Sequence, residues 1–542
     1  MVESMDTTVY YREYDKGGDH TEQIKKALLR CRLTKADTLH FEPGVYHFYG
    51  TYAGEYECNI SNHSPNGRKK VIFPLIGYKN LKIEADGCLF IIHDFCIPFV
   101  IAESENITVS GPTIEAADVQ SAQGTVVSAD DETHTVRMDA ADKWDVKRGV
   151  LVFPYDGAYT ECDNYILFDS EGKRVRGAGD HGYYKILVQK LDENRIKVSN
   201  SFSVPSAGQR IAYYGGERKS CVFFLRGSSD VILSNITVTR HTGMGVISQM
   251  CENVSLENFS VTPKSGNVIS IEADATHFVN CSGVISLKNC VFENMMDDAL
   301  NVHGIFTQII KSSPSEMVVR YMHKEAKGID IYRKGDVLSV SDKDSVLPIY
   351  TATVKEAETI NSDTVKLQLE ESFEAKAGMI VENLTRQPKV YMGGCTIRNN
   401  RARGILLGTK GKIIIAENYF RTEDPAILFE CDPKYWFESG SVSDVYIDGN
   451  VFDDCASGCG RAVIEAVPRD KAEEGKYFHG AIRILENRVI SNNAAFAFIN
   501  NAESIDILGN TVDNNGELRV ITDHIGRALI QEDAIVETES GL

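Results

Sequence analysis

The stretch AIRILENRVISNN at residues 481–493 decides the fold, because SIDILGNTVDNN at residues 504–515 repeats its pattern one unit later. Each copy has an alternating apolar run, then Asn or Gly, then a second alternating run. Five further copies begin at residues 230, 252, 283, 412 and 444: DVILSNITVTR, ENVSLENFSVTP, GVISLKNCVFEN, KIIIAENYFRTED and DVYIDGNVFDDC. Self-similarity at a period of about 20 to 50 residues is typical of solenoid proteins.

The asparagines at the centre of these units mark the length of one coil. They are Asn235, Asn258, Asn289, Asn418, Asn450, Asn487 and Asn510. Within each of the two blocks they follow one another at intervals of about 20 to 40 residues, which is the size of one solenoid coil with loops of variable length. We expect each asparagine at a bend, where its side chain tolerates left-handed backbone and bonds to its equivalent one coil away.

A single unit is too small to bury its own apolar face, so the units must stack. Stacking at about 4.8 Å pairs every strand in parallel with its counterparts above and below. The pattern therefore predicts an all-β fold, a right-handed parallel β-helix. At the start of the chain, DHTEQIKKALLRC carries Ile24, Ala27, Leu28 and Cys31 at helical spacing, which predicts a short helix. We expect this helix to cap the first coil and cover its strand edges.

Two stretches interrupt the repeat and predict inserted domains. They carry alternating strands such as KILVQKL and TVKLQLEE without the asparagine unit, and each is long enough for a small β-barrel. The predicted division is the cap and first coils (1–114), an inserted β-barrel (115–215), coils with candidate carboxylates (216–305), a second inserted β-barrel (306–388) and the last coils (389–542).

Bulk properties limit the partners of this chain. A formal net charge of −20 disfavours nucleic acid and anionic membrane surfaces, which it would repel. No run of about 18 apolar residues predicts a membrane span. The 13 scattered cysteines suggest free, buried thiols, with a disulfide as the open alternative. We expect an exported protein whose signal peptide is absent from this chain, with a cytoplasmic location as the alternative, and a possible homodimer.

The stretch NMMDDALNVHG at residues 294–304 is the candidate active site. Asp274, in NVISIEADATHF, precedes Asp297 by the length of one coil, so it is predicted to lie beside the Asp297–Asp298 pair. Crowded carboxylates raise the pKa of at least one member, and glycoside hydrolysis needs one protonated carboxyl and one carboxylate. A solvated turn and a calcium site are the competing interpretations, and the second lacks the dense oxygen-rich loop that calcium needs.

The same segments carry a resemblance to a known family. IEADATHF followed by MMDDALNVHG, then NNRARGILLGT from 399 and YWFESG from 435, resemble glycoside hydrolase family 110, the bacterial exo-α-1,3-galactosidases. The resemblance implies a β-helix with inserted β-barrels and hydrolysis of terminal α-1,3-linked galactose with inversion, without metal or cofactor. It makes Asp297 the general acid, while Asp274 and Asp298 hold and deprotonate the water.

Other functions stay open at this point. A polygalacturonase-like inverting hydrolase of another polysaccharide shows a similar carboxylate trio. A non-catalytic β-helix that binds glycans would not need three crowded carboxylates. The resemblance leaves open whether the substrate is the branched blood-group B antigen, a linear α-galactoside or both.

Candidate substrate-binding residues surround the trio in the sequence. They are His277, Asn301, His303, Arg403, Trp436 and Glu438. Trp436 could stack on the apolar face of a sugar, Glu438 could accept sugar hydroxyls, and Arg403 could donate to them. For each of them a packed ring or an ordinary salt bridge is the competing interpretation.

Overall fold

The computed structural model describes residues 7–63, 66–155, 157–170, 172–179, 186–199, 204–458, 460–468, 473–491, 494–513 and 516–538. It confirms the predicted fold class, a right-handed parallel β-helix with a capping helix and inserted β-domains. The α-helix spans Thr21–Thr34, and two 3-10 turns span Tyr11–Glu13 and Lys324–Ala326. This helix is too short to cross a membrane, and no other described helix is long and apolar enough.

Three faces of parallel strands enclose the interior. The first face contains Thr8–Tyr10, Thr38–His40, Lys79–Glu84, Glu105–Ser110, Ser229–Ser234, Glu252–Glu257, Ser282–Lys288, Lys389–Gly393, Lys412–Ala416, Asp444–Asp448 and His479–Leu485. The third face contains Gly44–Phe48, Cys88–Ile92, Thr113–Ala116, Thr237–Arg240, Ser260–Val261, Val291–Glu293, Thr396–Arg398, Tyr419–Arg421, Val451–Asp453, Arg488–Ser491 and Thr511–Val512.

The second face bears the candidate site. Its strands are Gly54–Cys58, Gly67–Ile76, Ile97–Ala102, Phe223–Arg226, Val246–Gln249, Thr276–Val279, Leu300–Ile305, Ile405–Leu407, Ile427–Phe429, Glu438–Ser439, Ala462–Ala466, Ala495–Leu508, Arg519–Ile530 and Ile535–Thr538. Glu438–Ser439 pairs antiparallel with the end of Leu300–Ile305. Ala495–Leu508 and Arg519–Ile530 run on into the first face.

The capping helix closes the N-terminal end as predicted. Ile24, Ala27, Leu28 and Cys31 are buried in the main hydrophobic core. The helix begins at Thr21, whose backbone N–H donates to Asp19 Oδ1 (2.9 Å). That carboxylate satisfies one of the free amides of the first turn.

The two insertions are antiparallel β-structures. The first has a seven-stranded sheet, Ser121–Ala129, Thr133–Met138, Asn164–Phe168, Arg174–Gly179, Val188–Lys190, Arg195–Ser199 and Arg210–Tyr214, and a three-stranded sheet, Asp145–Lys147, Val150–Tyr155 and Ala158–Glu161. The second is a closed barrel of Thr307–Ser313, Glu316–Tyr321, Val337–Ser341, Pro348–Asn361, Thr364–Leu369 and Ile380–Asn383. It leaves the β-helix directly after the second-face strand that ends at Ile305.

The repeated asparagines form two adjacent columns rather than the single column we expected. Asn235, Asn258 and Asn289 have left-handed backbone, with φ of 55°, 51° and 52°. In the later coils Glu417, Gly449, Glu486 and Gly509 take that left-handed position, so the asparagine is the next residue. There Asn418, Asn450, Asn487 and Asn510 are buried, in the inward column that Ile236, Phe259, Cys290 and Cys395 fill in the earlier coils. Alignment on the asparagine alone was therefore wrong by one position.

The inward asparagines are joined by side-chain hydrogen bonds from coil to coil. Asn418 Nδ2 donates to Asn450 Oδ1 (2.9 Å), Asn450 Nδ2 to Asn487 Oδ1 (3.0 Å), and Asn487 Nδ2 to Asn510 Oδ1 (2.9 Å). Each Oδ1 also accepts the backbone N–H of the preceding asparagine, as Asn450 Oδ1 does from Asn418 (3.0 Å). The ladder thus satisfies polar groups that no water can reach.

We predict that Asn450→Ala lowers the free energy of unfolding by about 3 kcal/mol, because it leaves the buried N–H groups of Asn418 without an acceptor. The matched control is Asn258→Gly, at an exposed position that keeps its left-handed backbone, with an expected change below about 1 kcal/mol. Chemical denaturation followed by fluorescence measures both. Equal losses would show that burial of the ladder adds no stability.

Candidate active site

The carboxylates occupy the bend that leads from the third face into the second. Asp274 lies two residues before the strand Thr276–Val279, and Asp298 lies two residues before the strand Leu300–Ile305. Thr276 pairs with Leu300, and the Ala275 N–H donates to the Asp298 carbonyl (2.9 Å). Asp298, rather than Asp297, therefore stacks on Asp274. Asp274 thus lies beside the Asp297–Asp298 pair as predicted, and the strand register determines that Asp298 is the stacked member.

Arg403 continues this column in the next coil. It lies two residues before the strand Ile405–Leu407, which pairs with Leu300–Val302. Its Nη2 donates to Asp298 Oδ2 (2.7 Å), so the guanidinium we expected on a sugar hydroxyl also holds a carboxylate. Asp298 Oδ1 is buried and accepts no hydrogen bond within the described part of the chain. That oxygen is available to a bound molecule.

Asp297 is held by two arginines that the sequence did not single out. Arg218 Nη2 lies 2.5 Å from Asp297 Oδ2, and Arg401 Nη2 lies 3.5 Å from Oδ1. Arg218 follows the first insertion and also donates to the Asn62 carbonyl (3.1 Å). The motif RARG contains Arg401 beside Arg403, which was the available signal for it. Arg218 stands in GGERKS, where no pattern marks it.

The environments of the three carboxyl groups separate their proton affinities. Burial and the neighbouring Asp297 raise the pKa of Asp274 to about 8. Although burial opposes it, the guanidiniums of Arg401 and Arg218 hold the pKa of Asp297 below its usual value. Burial raises the pKa of Asp298, and Arg403 opposes that rise. In the free site, Asp297 is therefore ionised and Asp274 carries a proton near neutral pH.

Two buried histidines extend from Asp274. His277 Nδ1 lies 2.5 Å from Asp274 Oδ2, and its Nε2 lies 2.8 Å from His303 Nε2. Both rings project outward from the second face, on strands whose neighbouring side chains Phe278 and Val302 point into the core. The outward positions on these strands are mostly apolar elsewhere, so two imidazoles there are a departure from the repeat.

His277, His303 and Glu438 are the group of described side chains whose atoms could surround a metal ion. Their ligand atoms lie within 4.8 Å of one another. The 2.8 Å separation of the two Nε2 atoms is a hydrogen-bond distance. Two nitrogens bound to one tetrahedral zinc ion at about 2.05 Å would lie about 3.3 Å apart. The arrangement therefore fits a hydrogen-bonded pair better than a metal centre.

Glu438 and Trp436 come from a loop that folds back beside the site. Glu438 Oε1 accepts from Asn62 Nδ2 (3.0 Å) and lies 3.6 Å from His303 Nε2. Trp436 is 40% exposed, and its ring centroid lies 4.7 Å from that of His323 in the inserted barrel. In the same barrel, the Gly328 carbonyl accepts a hydrogen bond from Asn59 Nδ2 (3.2 Å). The barrel and two loops thus form a wall around the carboxylates.

A cavity of about 630 Å³ opens beside this wall. Arg403, Trp436 and Glu438, three of the residues predicted to bind substrate, line it together. Asn301 lies elsewhere, in register beside His277, where it is buried. Its Oδ1 has no hydrogen-bond partner among the described residues. A cavity of this size, with a few convergent polar groups, is typical of a small-molecule site.

Two family models and several known proteins match this chain. The family models GLAA-B beta-barrel domain I and domain II match residues 122–209 and 316–378. An alpha-1,3-galactosidase B of Phocaeicola vulgatus is 32% identical over 486 residues, covering 84% of this chain and 80% of that protein. An alpha-1,3-galactosidase A of Shewanella woodyi is 29% identical over 518 residues, covering 93% and 84%.

A solved structure, the A-module of a mannuronan C-5 epimerase from Azotobacter vinelandii, aligns with a TM-score of 0.40 at 10% identity, covering 98% of this chain and 97% of that one.

We predict that Arg403→Met lowers the free energy of unfolding by about 3 kcal/mol, because the Asp298 side chain is 1% exposed and loses its ion pair. Methionine keeps the apolar stem of the side chain. The control is Arg398→Met, which breaks a half-exposed pair with Glu293 and should cost less than about 1 kcal/mol. Thermal and chemical denaturation measure the two losses, and a smaller loss in Arg403→Met than in Arg398→Met would contradict the assignment.

Proposed function

We propose a mechanism on the premise that the chain belongs to the α-1,3-galactosidase family and is a glycosidase that removes α-1,3-linked galactose. The observation that carries the mechanism is the buried trio of Asp274, Asp297 and Asp298, joined through Arg403 to a sugar-sized cavity. We assign to it hydrolysis in one displacement, with inversion of the anomeric centre. Asp297 is the general acid, and Asp298 and Asp274 hold the water.

The displacement moves two protons. The acid gives its proton to the glycosidic oxygen as the bond from that oxygen to the galactose anomeric carbon breaks. A water molecule attacks the same carbon from the opposite face and loses a proton to a carboxylate. The products are β-galactose and the acceptor with a free hydroxyl, and the number of protons on the enzyme is unchanged.

Exposure supports Asp297 as the group that reaches the leaving oxygen. Its side chain is 13% exposed, against 4% for Asp274 and 1% for Asp298. In the free trio the proton is on Asp274, so Asp297 has to receive it before it can act as the acid. Sugar hydroxyls that accept from Arg218 and Arg401 would weaken the ion pairs of Asp297 and raise its proton affinity. Substrate binding then favours the protonated form of Asp297.

Asp298 is suited to the opposite task. Arg403 donates to one of its oxygens and opposes the rise in its pKa, while the other oxygen is buried and accepts no bond within the described residues. A water molecule that donates to this oxygen is held close to the base that will take its proton. The position of Asp298 directly over Asp274 would allow both to contact the same water.

The charge of the cavity favours a neutral sugar over a polyuronate. Five carboxylates line it, Asp344, Glu430, Asp432, Glu438 and Glu465, against the three cations Lys343, Arg403 and Lys434. A site for an anionic polysaccharide would need an excess of cations. The polygalacturonase-like alternative is therefore disfavoured.

Proton NMR recorded during the first turnover tests this proposal, since the anomeric signals of α- and β-galactose are resolved. We expect β-galactose as the first product from α-1,3-galactosides, with mutarotation to the α-anomer later. α-Galactose as the first product would contradict inversion. Running a linear α-1,3-galactoside beside a branched, fucosylated blood-group B glycan shows which acceptor the cavity admits.

We predict that Asp297→Asn lowers kcat/KM for the natural glycan by about 1,000-fold, the scale for loss of a general acid. An aryl α-galactoside with an acidic phenol needs little protonation, so its loss should be at least about tenfold smaller. Steady-state kinetics on both substrates measure the difference. Glu293→Gln, in the preceding third-face strand, is the control and should stay within about threefold on both substrates. Equal losses on both substrates in Asp297→Asn would remove Asp297 from the acid role.

A further inference from the structure

Three consecutive hydrogen bonds lead from a backbone carbonyl to the trio. His303 Nδ1 lies 2.6 Å from the Gly304 carbonyl, His303 Nε2 lies 2.8 Å from His277 Nε2, and His277 Nδ1 lies 2.5 Å from Asp274 Oδ2. The side chains of His277, His303 and Asp274 are 1%, 4% and 4% exposed. Each contact therefore needs a donor and an acceptor within the protein.

When both rings are neutral, the carbonyl at one end fixes the position of every proton along the chain. A carbonyl can only accept, so His303 carries its hydrogen on Nδ1, and its Nε2 is an acceptor in the neutral ring. The contact between the two Nε2 atoms then requires the hydrogen of His277 on Nε2. In neutral His277, Nδ1 is consequently an acceptor, and its contact with Asp274 requires a hydrogen on the carboxyl oxygen.

If the hydrogen between Asp274 and His277 were on His277 Nδ1 instead, the two side chains together would hold the same number of protons. The alternative would be a carboxylate beside an imidazolium. Burial and the neighbouring His303 lower the pKa of His277 well below its usual value, so the neutral ring is favoured. If Asp274 lost its hydrogen, His277 would have to place its own hydrogen on Nδ1 to donate to the carboxylate. The Nε2 lone pairs of His277 and His303 would then face each other at 2.8 Å. The paired rings thus oppose deprotonation of Asp274.

We propose that His303 and His277 are positioning residues that keep Asp274 protonated in the free enzyme, so that Asp274 stores the proton which the glycosidic oxygen later receives. This inference rests on the proposed function, since that function supplies the need for one proton on the trio. The charged groups that face the store are Asp297, Asp298, Arg218, Arg403 and Glu438. The two histidines act through Asp274 and need not touch substrate.

The store has a defined pH dependence. With the pKa of Asp274 raised to about 8, the proton is present below that pH and is lost as the pH rises through it. We therefore expect kcat/KM to fall on the alkaline side of pH 8. In His303→Ala the Nε2 atom of His277 has no acceptor to donate to, so the ring can place its hydrogen on Nδ1 and donate to an ionised Asp274. We expect the alkaline limb to move down by about one pH unit or more, which is a tenfold weaker proton affinity.

His303→Gln is the matched conservative variant, because its side-chain carbonyl can accept from His277 Nε2 where the imidazole nitrogen did. We expect it to restore the alkaline limb to within about half a pH unit of the wild type. A merely structural role would lower kcat in both variants without moving the limb. An unchanged limb in His303→Ala would overturn the proposal.

Nitrogen-15 NMR of the full-length enzyme labelled at histidine shows which ring nitrogens carry a hydrogen, without any turnover. At pH 7 we expect the hydrogen on Nδ1 of His303 and on Nε2 of His277, assigned with the two single variants. His479, buried with Nε2 2.7 Å from the Val467 carbonyl, gives an internal signal that should stay constant if the variants fold. A hydrogen on Nδ1 of wild-type His277, with Nε2 bare, would overturn the store.

The same spectra separate this inference from its premise and from metal binding. If the histidine pattern is as expected but the first product is α-galactose, the inverting function fails while the protonated Asp274 stands. If both Nε2 atoms are bare and change when a chelator is added, the pair binds a metal ion and the proposal is overturned.

Discussion

The register between neighbouring coils is the constraint on which the site depends. At the site, the strands of the second face are hydrogen-bonded in parallel from coil to coil, so residues at equivalent positions in successive coils become neighbours. Asp274, Asp298 and Arg403 are close because they hold one such position, although a whole inserted barrel separates Arg403 from Asp298 in the sequence. The barrel does not disturb this alignment, since the strands on either side of it still pair.

The fold could be predicted from the sequence because the repeat consists of short strands in which apolar and polar residues alternate strongly. The capping helix and the fold class could be predicted for the same reason. The fine alignment could not, because Asn289 and Asn418 look equivalent in sequence while the backbone places them in adjacent columns. Because Glu417 takes the left-handed position, the asparagine after it can point inward while the bend stays the same. The coil length likewise placed Asp274 beside the Asp297–Asp298 pair without showing which member stacks on it.

The site was predictable where its chemistry is local in the chain. The aspartates and the two histidines lie in one short segment, from Asp274 to His303, and the structure joins Asp274 to both histidines by consecutive hydrogen bonds. Arg218 could not be found in this way, since it reaches Asp297 from the segment after the first insertion. That insertion supports the site from the other side as well. Arg174 of its sheet donates to the carbonyls of Asn400 and Arg401, beside the arginines that hold the carboxylates.

The inward asparagine ladder also gives the C-terminal coils an electrical polarity. Asn418 Oδ1 accepts from the Cys395 N–H (2.8 Å), and Asn510 Nδ2 donates to the Ile484 carbonyl (2.8 Å), each in the preceding coil. Since neither backbone group can exchange its role, all four side-chain amides point the same way. The axial components of their dipoles add, with the oxygen ends toward the coils that carry the carboxylates. A row of uncharged side chains thereby gives the interior of the solenoid a small fixed dipole.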